Sequence, residues 1–112
     1  MNRILLQVVD IFGNLVELTE ERWKNHILAG HNEVEPYIEQ IKETIESPDC
    51  IFESRYESDT KLFYKRGITQ GKYKNLCLKV VVSYSETPAF IKTAFFTAQL
   101  TGGKLLWIKT TL

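Results

Sequence analysis

Both histidines of the chain lie within one short segment, at positions 26 and 31. A histidine side chain gains or loses a proton near neutral pH, so His26 and His31 are candidates for a general base or a general acid. Arg55 is a candidate phosphate ligand, because the planar guanidinium group donates two parallel hydrogen bonds. This set of residue types points to chemistry at a phosphate ester.

Three hydroxyl groups on predicted strands complete the candidate catalytic set, and they belong to Tyr64, Thr93 and Thr97. RNA cleavage by internal transesterification needs a base for the ribose 2′-hydroxyl, an acid for the leaving 5′-oxygen and cations for the developing negative charge. Tyr64 could stack on a nucleobase or donate a proton. The reaction requires no metal, and no cofactor is predicted.

Each candidate also has an ordinary structural interpretation. His26 lies at the edge of an apolar helix stripe, as a partly buried structural histidine does, and His31 stands where a helix commonly ends. Arg55 could form an ion pair with Glu53 or Glu57. The threonines are good strand formers, and the tyrosine is typical of a core. Spacing alone therefore leaves both interpretations open.

The length of 112 residues, with 44% hydrophobic and 25% charged residues, predicts one folded domain over residues 1–112. The formal net charge is zero, which argues against strong nonspecific binding to nucleic acid. Segment 61–79 is nevertheless basic, and Lys65, Arg66 and Lys79 are its candidate substrate-binding residues. The alternative is that these lysines only prevent strands from aggregating.

The two cysteines, Cys50 and Cys77, have no metal-binding or redox spacing and are expected to be buried thiols. The first residues do not resemble a signal peptide, and no apolar run is long enough to span a membrane. The sequence therefore predicts a cytoplasmic protein without a membrane partner.

Two helices are predicted in the first half of the chain. Thr19 is a good N-cap, and a first helix from there would bury Trp23 and Ile27 and end at Gly30. A second helix should begin near Glu35 or Pro36 and end at 47–49. The residues on its buried face are Ile38, Ile41 and Ile45.

Strand patterns surround these helices. Segments 4–11 and 15–18 predict an N-terminal β-hairpin that turns at Gly13 and Asn14. Alternating or apolar segments predict five further strands, at 51–56, 62–66, 76–84, 89–100 and 105–110. Because the loops between them are short, we expect an antiparallel meander with the hairpin and two helices packed on it, an α+β fold.

Several motifs resemble a known family. They are Leu18-Thr-Glu-Glu-Arg-Trp-x-x-His-Ile-x-x-Gly-His31, Ile41-x-x-Thr44, Pro48-Asp49, Lys79-Val-Val-Val82, Thr93-Ala-Phe-Phe-Thr97 and a Gly-Gly…Leu-Trp ending. Together they resemble the phage-associated nuclease domains of the barnase–EndoU–colicin–RelE (BECR) superfamily. The resemblance covers nearly the whole chain, although Asn32 stands where these domains often have proline.

The resemblance implies a barnase/RelE-like fold and a metal-independent endoribonuclease acting as a toxin or phage-derived effector. It implies that the two histidines, Arg55, Tyr64 and the two threonines form the site. RNA would be the substrate, and an antitoxin or immunity protein a possible partner. The alternative is a non-catalytic module that binds RNA or a protein on the same fold, as the zero net charge allows.

Overall fold

A β-hairpin opens the chain in the computed structural model, which describes residues 3–110. Its strands are β1 (Ile4–Val9) and β2 (Leu15–Thr19), which pair antiparallel as predicted. Gly13 turns the chain with a φ of 88°, a conformation that glycine adopts without steric cost.

The first helix is shorter and wider than predicted. The Thr19 hydroxyl accepts a hydrogen bond from the Arg22 N–H at 3.2 Å, which confirms the N-cap. The α-helical part, α1, is only Glu20–Arg22, and a π-helical turn, Trp23–Ile27, follows it. The wider turn still buries the two predicted apolar residues at its ends. The expected α-helix up to Gly30 is therefore wrong beyond α1.

The second helix begins later than predicted. A 3₁₀ helix, Asn32–Tyr37, contains Pro36, and α2 (Ile38–Glu46) follows it. Ile41 and Ile45 are fully buried, as predicted, and α2 ends before Pro48. No helix within residues 3–110 combines the length and apolar character needed to cross a membrane.

The five remaining strands join the hairpin in one sheet, and they are β3 (Cys50–Glu53), β4 (Thr60–Arg66), β5 (Cys77–Ser83), β6 (Ala89–Thr97) and β7 (Leu105–Ile108). The strand order is β1-β2-β6-β5-β4-β3-β7. Strands β3 to β6 form the predicted antiparallel meander.

The prediction of a purely antiparallel meander is wrong, because one pairing is parallel and the last strand leaves the meander order. Strand β2 pairs parallel with the start of β6, through Ala89 and Phe90. Strand β7 pairs with β3 at the opposite edge of the sheet. After β6 the chain crosses the sheet to that edge through residues 98–104, here called the crossover segment.

The sheet has two different faces. The helices cover one face and form the main core with apolar strand residues, among them Phe63, Val80 and Ile91. The opposite face, here called the distal face, carries the second set of alternating side chains, including Leu62 and Tyr64. Cys50 and Cys77 are buried free thiols among them, and burial is the main cause that raises the pKa of Cys50.

A β-bulge decides which side chains of β6 reach the distal face. The pairing register shifts between Val81 and Val82, opposite residues 91–93. Strict alternation along 89–100 predicts that Ile91 shares a face with Thr93 and Thr97, but this prediction is wrong, because the bulge leaves Ile91 buried in the main core.

A buried carboxylate fixes the hairpin to the sheet. Asp10 is buried and accepts hydrogen bonds from the backbone N–H groups of Phe12 and Asn14, at 2.9 and 2.8 Å. The hydroxyl of Tyr84, just after β5, donates to the same carboxylate at 2.6 Å. Burial is the main cause that raises the pKa of Tyr84 far above its ordinary value, and the Asp10 carboxylate raises it further.

Replacing Tyr84 with phenylalanine is expected to lower the free energy of unfolding by about 1–3 kcal/mol, because a buried carboxylate loses a donor. Since the pKa of Tyr84 is raised on folding, its stabilisation is complete below the ordinary pKa of 10.0 and is lost as the pH rises above it. Urea unfolding of both proteins from pH 7 to 11 measures both effects. An equally steep alkaline decline in Tyr84→Phe would contradict the assignment.

Candidate functional site

A groove of about 660 Å³ lies on the distal face beside the crossover segment. Its lining residues come from β3, β4, β5, the loop after β3 and the crossover segment: Phe52, Ser54, Arg55, Tyr56, Leu62, Lys79, Leu100, Thr101 and Gly102. Among residues 3–110, the lining has two cations, Arg55 and Lys79, and no carboxylate. A chain of zero net charge therefore concentrates positive charge in this groove.

The Arg55 side chain is held by a backbone carbonyl. Its Nε donates to the oxygen of Gly102 at 2.8 Å, and the guanidinium has no other hydrogen bond or ion pair within residues 3–110. The expected ion pair with Glu53 or Glu57 does not form. Glu57 accepts from Lys92 and Thr60 instead, and the hydrogen bond from Lys92 is the first cause that lowers the pKa of Glu57. The terminal nitrogens of Arg55 are thus available to an anion.

Lys79 is held by a hydroxyl group and two aromatic rings. Its Nζ lies 3.3 Å from Thr101 Oγ1 and 5.5 and 5.3 Å from the ring centres of Tyr64 and Phe95. No carboxylate pairs with Lys79 in the described part of the chain. The rings fix its position without neutralising its charge.

Tyr64 fastens the crossover segment to the sheet. Its side chain is fully buried; its hydroxyl donates to the Thr101 carbonyl at 2.7 Å and accepts from the Thr101 N–H at 3.1 Å. A ring without exposed surface has no face on which a nucleobase could stack. Tyr64 therefore contacts the site through the crossover segment, whose Thr101 and Gly102 hold the two cations.

His31 reaches the same face around the edge of β6. Its ring stacks on Phe95, with the ring centres 4.7 Å apart and the planes 21° apart. Its Nδ1 lies 3.4 Å from the Glu33 carboxylate, and 39% of its side chain remains exposed. Phe95 pairs with Lys79 across the strands, so the imidazole and the ammonium group are neighbours of one ring.

The two predicted threonines flank that ring. Thr93 and Thr97 lie two residues to either side of Phe95 and, after the bulge, point to the distal face with it. Both are half-buried, and Thr97 Oγ1 accepts a hydrogen bond from the Gln99 N–H at 3.1 Å. The distal face thus carries Arg55, Tyr64 and both threonines, and His31 contacts this face through Phe95.

Three other predicted residues are placed differently. His26 lies on the π-helical turn, 53% exposed and 4.0 Å from the Glu21 carboxylate, so the expectation that it is partly buried is wrong. Lys65 points to the helix-covered face and contacts the Ser47 carbonyl and the Glu43 carboxylate. Arg66 lines a separate cavity of about 280 Å³, which it shares with Asp49 and Lys109 among others.

Sequence reasoning missed several residues of this surface. Phe95, Thr101 and Gly102 hold the candidate groups. The role of Phe95 depends on the register of β6 against β5, and the roles of Thr101 and Gly102 depend on the crossover segment; no local pattern encodes either. Tyr56 had a readable signal, because an aromatic residue within the polar turn 54–59 has no apolar neighbour to bury it. Glu33 also had a readable signal, because a carboxylate two residues after His31 is close enough along the chain to contact its imidazole.

Comparison with known proteins does not assign the chain to a family. No family model, no curated protein and no solved structure matches the chain. Within residues 3–110, no three residues among histidine, cysteine, aspartate and glutamate are grouped to hold a metal ion. The interpretation of the distal face therefore depends on its own geometry and charge.

Proposed function

We propose that the protein is an endoribonuclease that cleaves RNA by internal transesterification on the distal face. The observation that carries the proposal is a groove with two cations and no lining carboxylate among the described residues, together with an accessible imidazole stacked on Phe95, the ring that Lys79 also contacts. Cations without a protein counter-charge favour a polyanionic ligand. A positioned imidazole beside them supplies the proton transfer that cleavage needs.

In the proposed reaction, His31 removes the proton from a ribose 2′-hydroxyl, whose oxygen attacks the adjacent phosphorus. The bond from phosphorus to the 5′-oxygen breaks, and the products are a 2′,3′-cyclic phosphate and a 5′-hydroxyl. The Lys79 ammonium group stabilises the charge that develops on the phosphate and is the neighbouring donor for the leaving oxygen. Arg55 binds the phosphate with its free terminal nitrogens.

Two contacts would hold the imidazole for this task. The Glu33 carboxylate, near Nδ1, would orient the ring. The stack on Phe95 would fix the ring plane, and Nε2, the nitrogen that does not face Glu33, would face substrate. Proton transfer is efficient only when the base is held within hydrogen-bond reach of the proton.

The direct test is to incubate the purified protein with a defined RNA in the presence of EDTA. We expect cleavage with 2′,3′-cyclic phosphate and 5′-hydroxyl ends. A matched oligonucleotide with one 2′-deoxy nucleotide at the cleaved position should remain intact, because it lacks the attacking oxygen. Absence of cleavage, or cleavage of the deoxy-substituted bond, would contradict the proposal.

Replacing Arg55 with alanine is expected to raise KM for RNA by about 10-fold or more, since a charge-assisted phosphate contact contributes about 1.5–3 kcal/mol. The logarithmic dependence of RNA affinity on salt should also become shallower by about one unit, as for the loss of one phosphate contact. Steady-state kinetics measure the change in KM. Binding measured at about 50 to 200 mM salt, where phosphate contacts are sensitive to ionic strength, gives the change in salt dependence.

Lys74→Ala is the matched control for charge. Lys74 belongs to the same basic segment, is exposed and lies outside the groove. Its loss should leave KM and the salt dependence close to those of the wild type. Equal effects of the Arg55 and Lys74 variants would show diffuse attraction rather than a phosphate site.

This activity would place the chain with the BECR nucleases that its motifs resemble, on a barnase/RelE-like fold. A toxin or phage-derived effector of this kind would need an antitoxin or immunity protein, and the exposed groove is the surface that such a partner would cover. Growth arrest on expression, relieved in His31→Ala, would support a toxin.

The second candidate function is RNA binding without cleavage. The observation that favours it is that the exposed imidazole lies beside the groove and not among its lining residues. On this alternative, RNA binds with the salt dependence described above and stays intact, and His31→Ala binds RNA as well as the wild type does.

A further inference from the structure

Within residues 3–110, Tyr56 is the most exposed of the large apolar and aromatic side chains. Its relative exposure is 91%, whereas the next value in that set is 61%, for Ile108. The Tyr56 ring has no aromatic or cation contact within residues 3–110. Folding therefore does not use this ring, although an aromatic ring is costly to leave in water.

The backbone beneath the ring is nevertheless fixed. Ser54 Oγ accepts hydrogen bonds from the N–H groups of Tyr56 and Glu57, at 3.2 and 3.4 Å. The preceding residue, Arg55, is tied to Gly102 on the crossover segment. A held turn thus presents a free ring at the rim of the groove.

The groove surface around Tyr56 combines two kinds of side chain. Phe52, Leu62 and Leu100 are apolar, and Arg55 and Lys79 are the two cations. Aromatic platforms beside unpaired cations are the composition of sites for single-stranded nucleic acid, where bases stack and phosphates meet charge. A base paired in a duplex has both faces covered by its neighbours and is not available to such a ring.

We propose that Tyr56 is the base-stacking residue of the groove and that it selects single-stranded RNA. The inference rests on the proposed function, because it takes the phosphate site at Arg55 and Lys79 as given. One unpaired base would lie on the Tyr56 ring while the adjacent phosphate contacts Arg55. Because stacking is sequence-tolerant, Tyr56 selects strandedness rather than a particular base.

The test measures binding without cleavage, so that it does not depend on catalysis. The probe is a fluorescent 2′-O-methyl RNA octamer without secondary structure, which lacks the attacking hydroxyl, and the readout is anisotropy. Tyr56→Ala is expected to weaken binding by about 5- to 100-fold, the range for loss of one stacked base. Tyr56→Phe and Tyr56→Trp should bind like the wild type, and Tyr56→Leu like Tyr56→Ala.

Two controls make the measurement specific. Phe12→Ala removes another exposed aromatic side chain, which lies outside the groove, and should not change the affinity. In a series of octamers, each with one abasic position, at least one should bind the wild type more weakly than the intact octamer does. The same abasic octamer should bind Tyr56→Ala as well as the intact octamer does. The same octamer in a duplex should bind equally to the wild type and Tyr56→Ala.

The outcomes separate this inference from the proposed function. If Tyr56→Ala binds like the wild type and Arg55→Ala binds weakly, stacking is overturned and the phosphate site stands. If neither variant changes the affinity, the RNA lies elsewhere and both proposals fall. If binding shows the expected pattern but natural RNA stays intact, the stacking inference holds and the ribonuclease activity fails.

Discussion

Replacing Gly102 with alanine is expected to lower the free energy of unfolding by about 2–4 kcal/mol, from overpacking and an unfavourable backbone conformation together. An added Cβ would lie 2.6 Å from Phe52 Cβ and 3.2 Å from Leu62 Cδ1, and neither the strand nor the fixed crossover segment can easily move away. The φ of Gly102 is 147°, which L-residues rarely adopt. Urea unfolding at neutral pH measures the loss.

The same substitution should damage the groove. The Gly102 carbonyl holds Arg55, and Thr101 beside it holds Lys79, so a shift of the crossover segment moves both cations. We expect RNA affinity to fall under conditions where Gly102→Ala is still folded. The crossover segment thus links the stability of the β3–β7 edge to the geometry of the site.

Gly67→Ala is the matched control, because it separates backbone conformation from the clash. Gly67 has a φ of 67°, but an added Cβ would meet no heavy atom within 4 Å. It should therefore lower the free energy of unfolding by only about 1–2 kcal/mol, the cost of that backbone conformation alone. If Gly67→Ala were as destabilising as Gly102→Ala, the close approach to Phe52 would not be the cause.

Local sequence patterns predicted those parts of the fold that local forces determine. The Thr19 cap depends on residues three apart, the buried face of α2 on a period of 3.6, and the hairpin on a glycine-containing turn. The meander from β3 to β6 follows from short loops between alternating segments. Each of these features can be read within a window of about twenty residues, roughly the span of a helix or hairpin.

The remaining parts of the fold depend on competition between distant segments. Alternation in 105–110 predicts a strand, but it does not say whether that strand pairs with β6 or with β3. In the structure it pairs with β3, and β2, more than seventy residues earlier, occupies the start of the edge of β6. The bulge opposite Val81 is likewise invisible in the alternation, so it moved Ile91 to the core against expectation.

The candidate site shows the same division. Alternation grouped Thr93 with Thr97, and both point to the distal face. Sequence could not choose between the two histidines, because their environments depend on how the helical segment meets the edge of β6. Nor could it find the partner of Arg55, which is a carbonyl 47 positions away rather than a neighbouring carboxylate.

Replacing His31 with alanine is expected to lower kcat/KM for RNA cleavage by about 10²–10⁴-fold, the usual contribution of a positioned acid or base. The fall should lie in kcat, because the groove cations that bind the phosphates are unchanged. Binding of the uncleavable 2′-O-methyl octamer should therefore stay close to that of the wild type. Quenched-flow or gel-based cleavage assays, together with anisotropy, separate the two effects.

His26→Ala makes this prediction specific to position rather than to residue type. Both histidines are accessible and each lies near a glutamate, but only His31 stacks on the ring next to Lys79. His26→Ala should therefore cleave RNA at nearly the wild-type rate. A large loss in His26→Ala with normal cleavage by His31→Ala would move the reaction to the helical side. Loss of cleavage in both variants would mean that the two imidazoles act together. That result would contradict the assignment, in which His31, stacked on Phe95, acts alone.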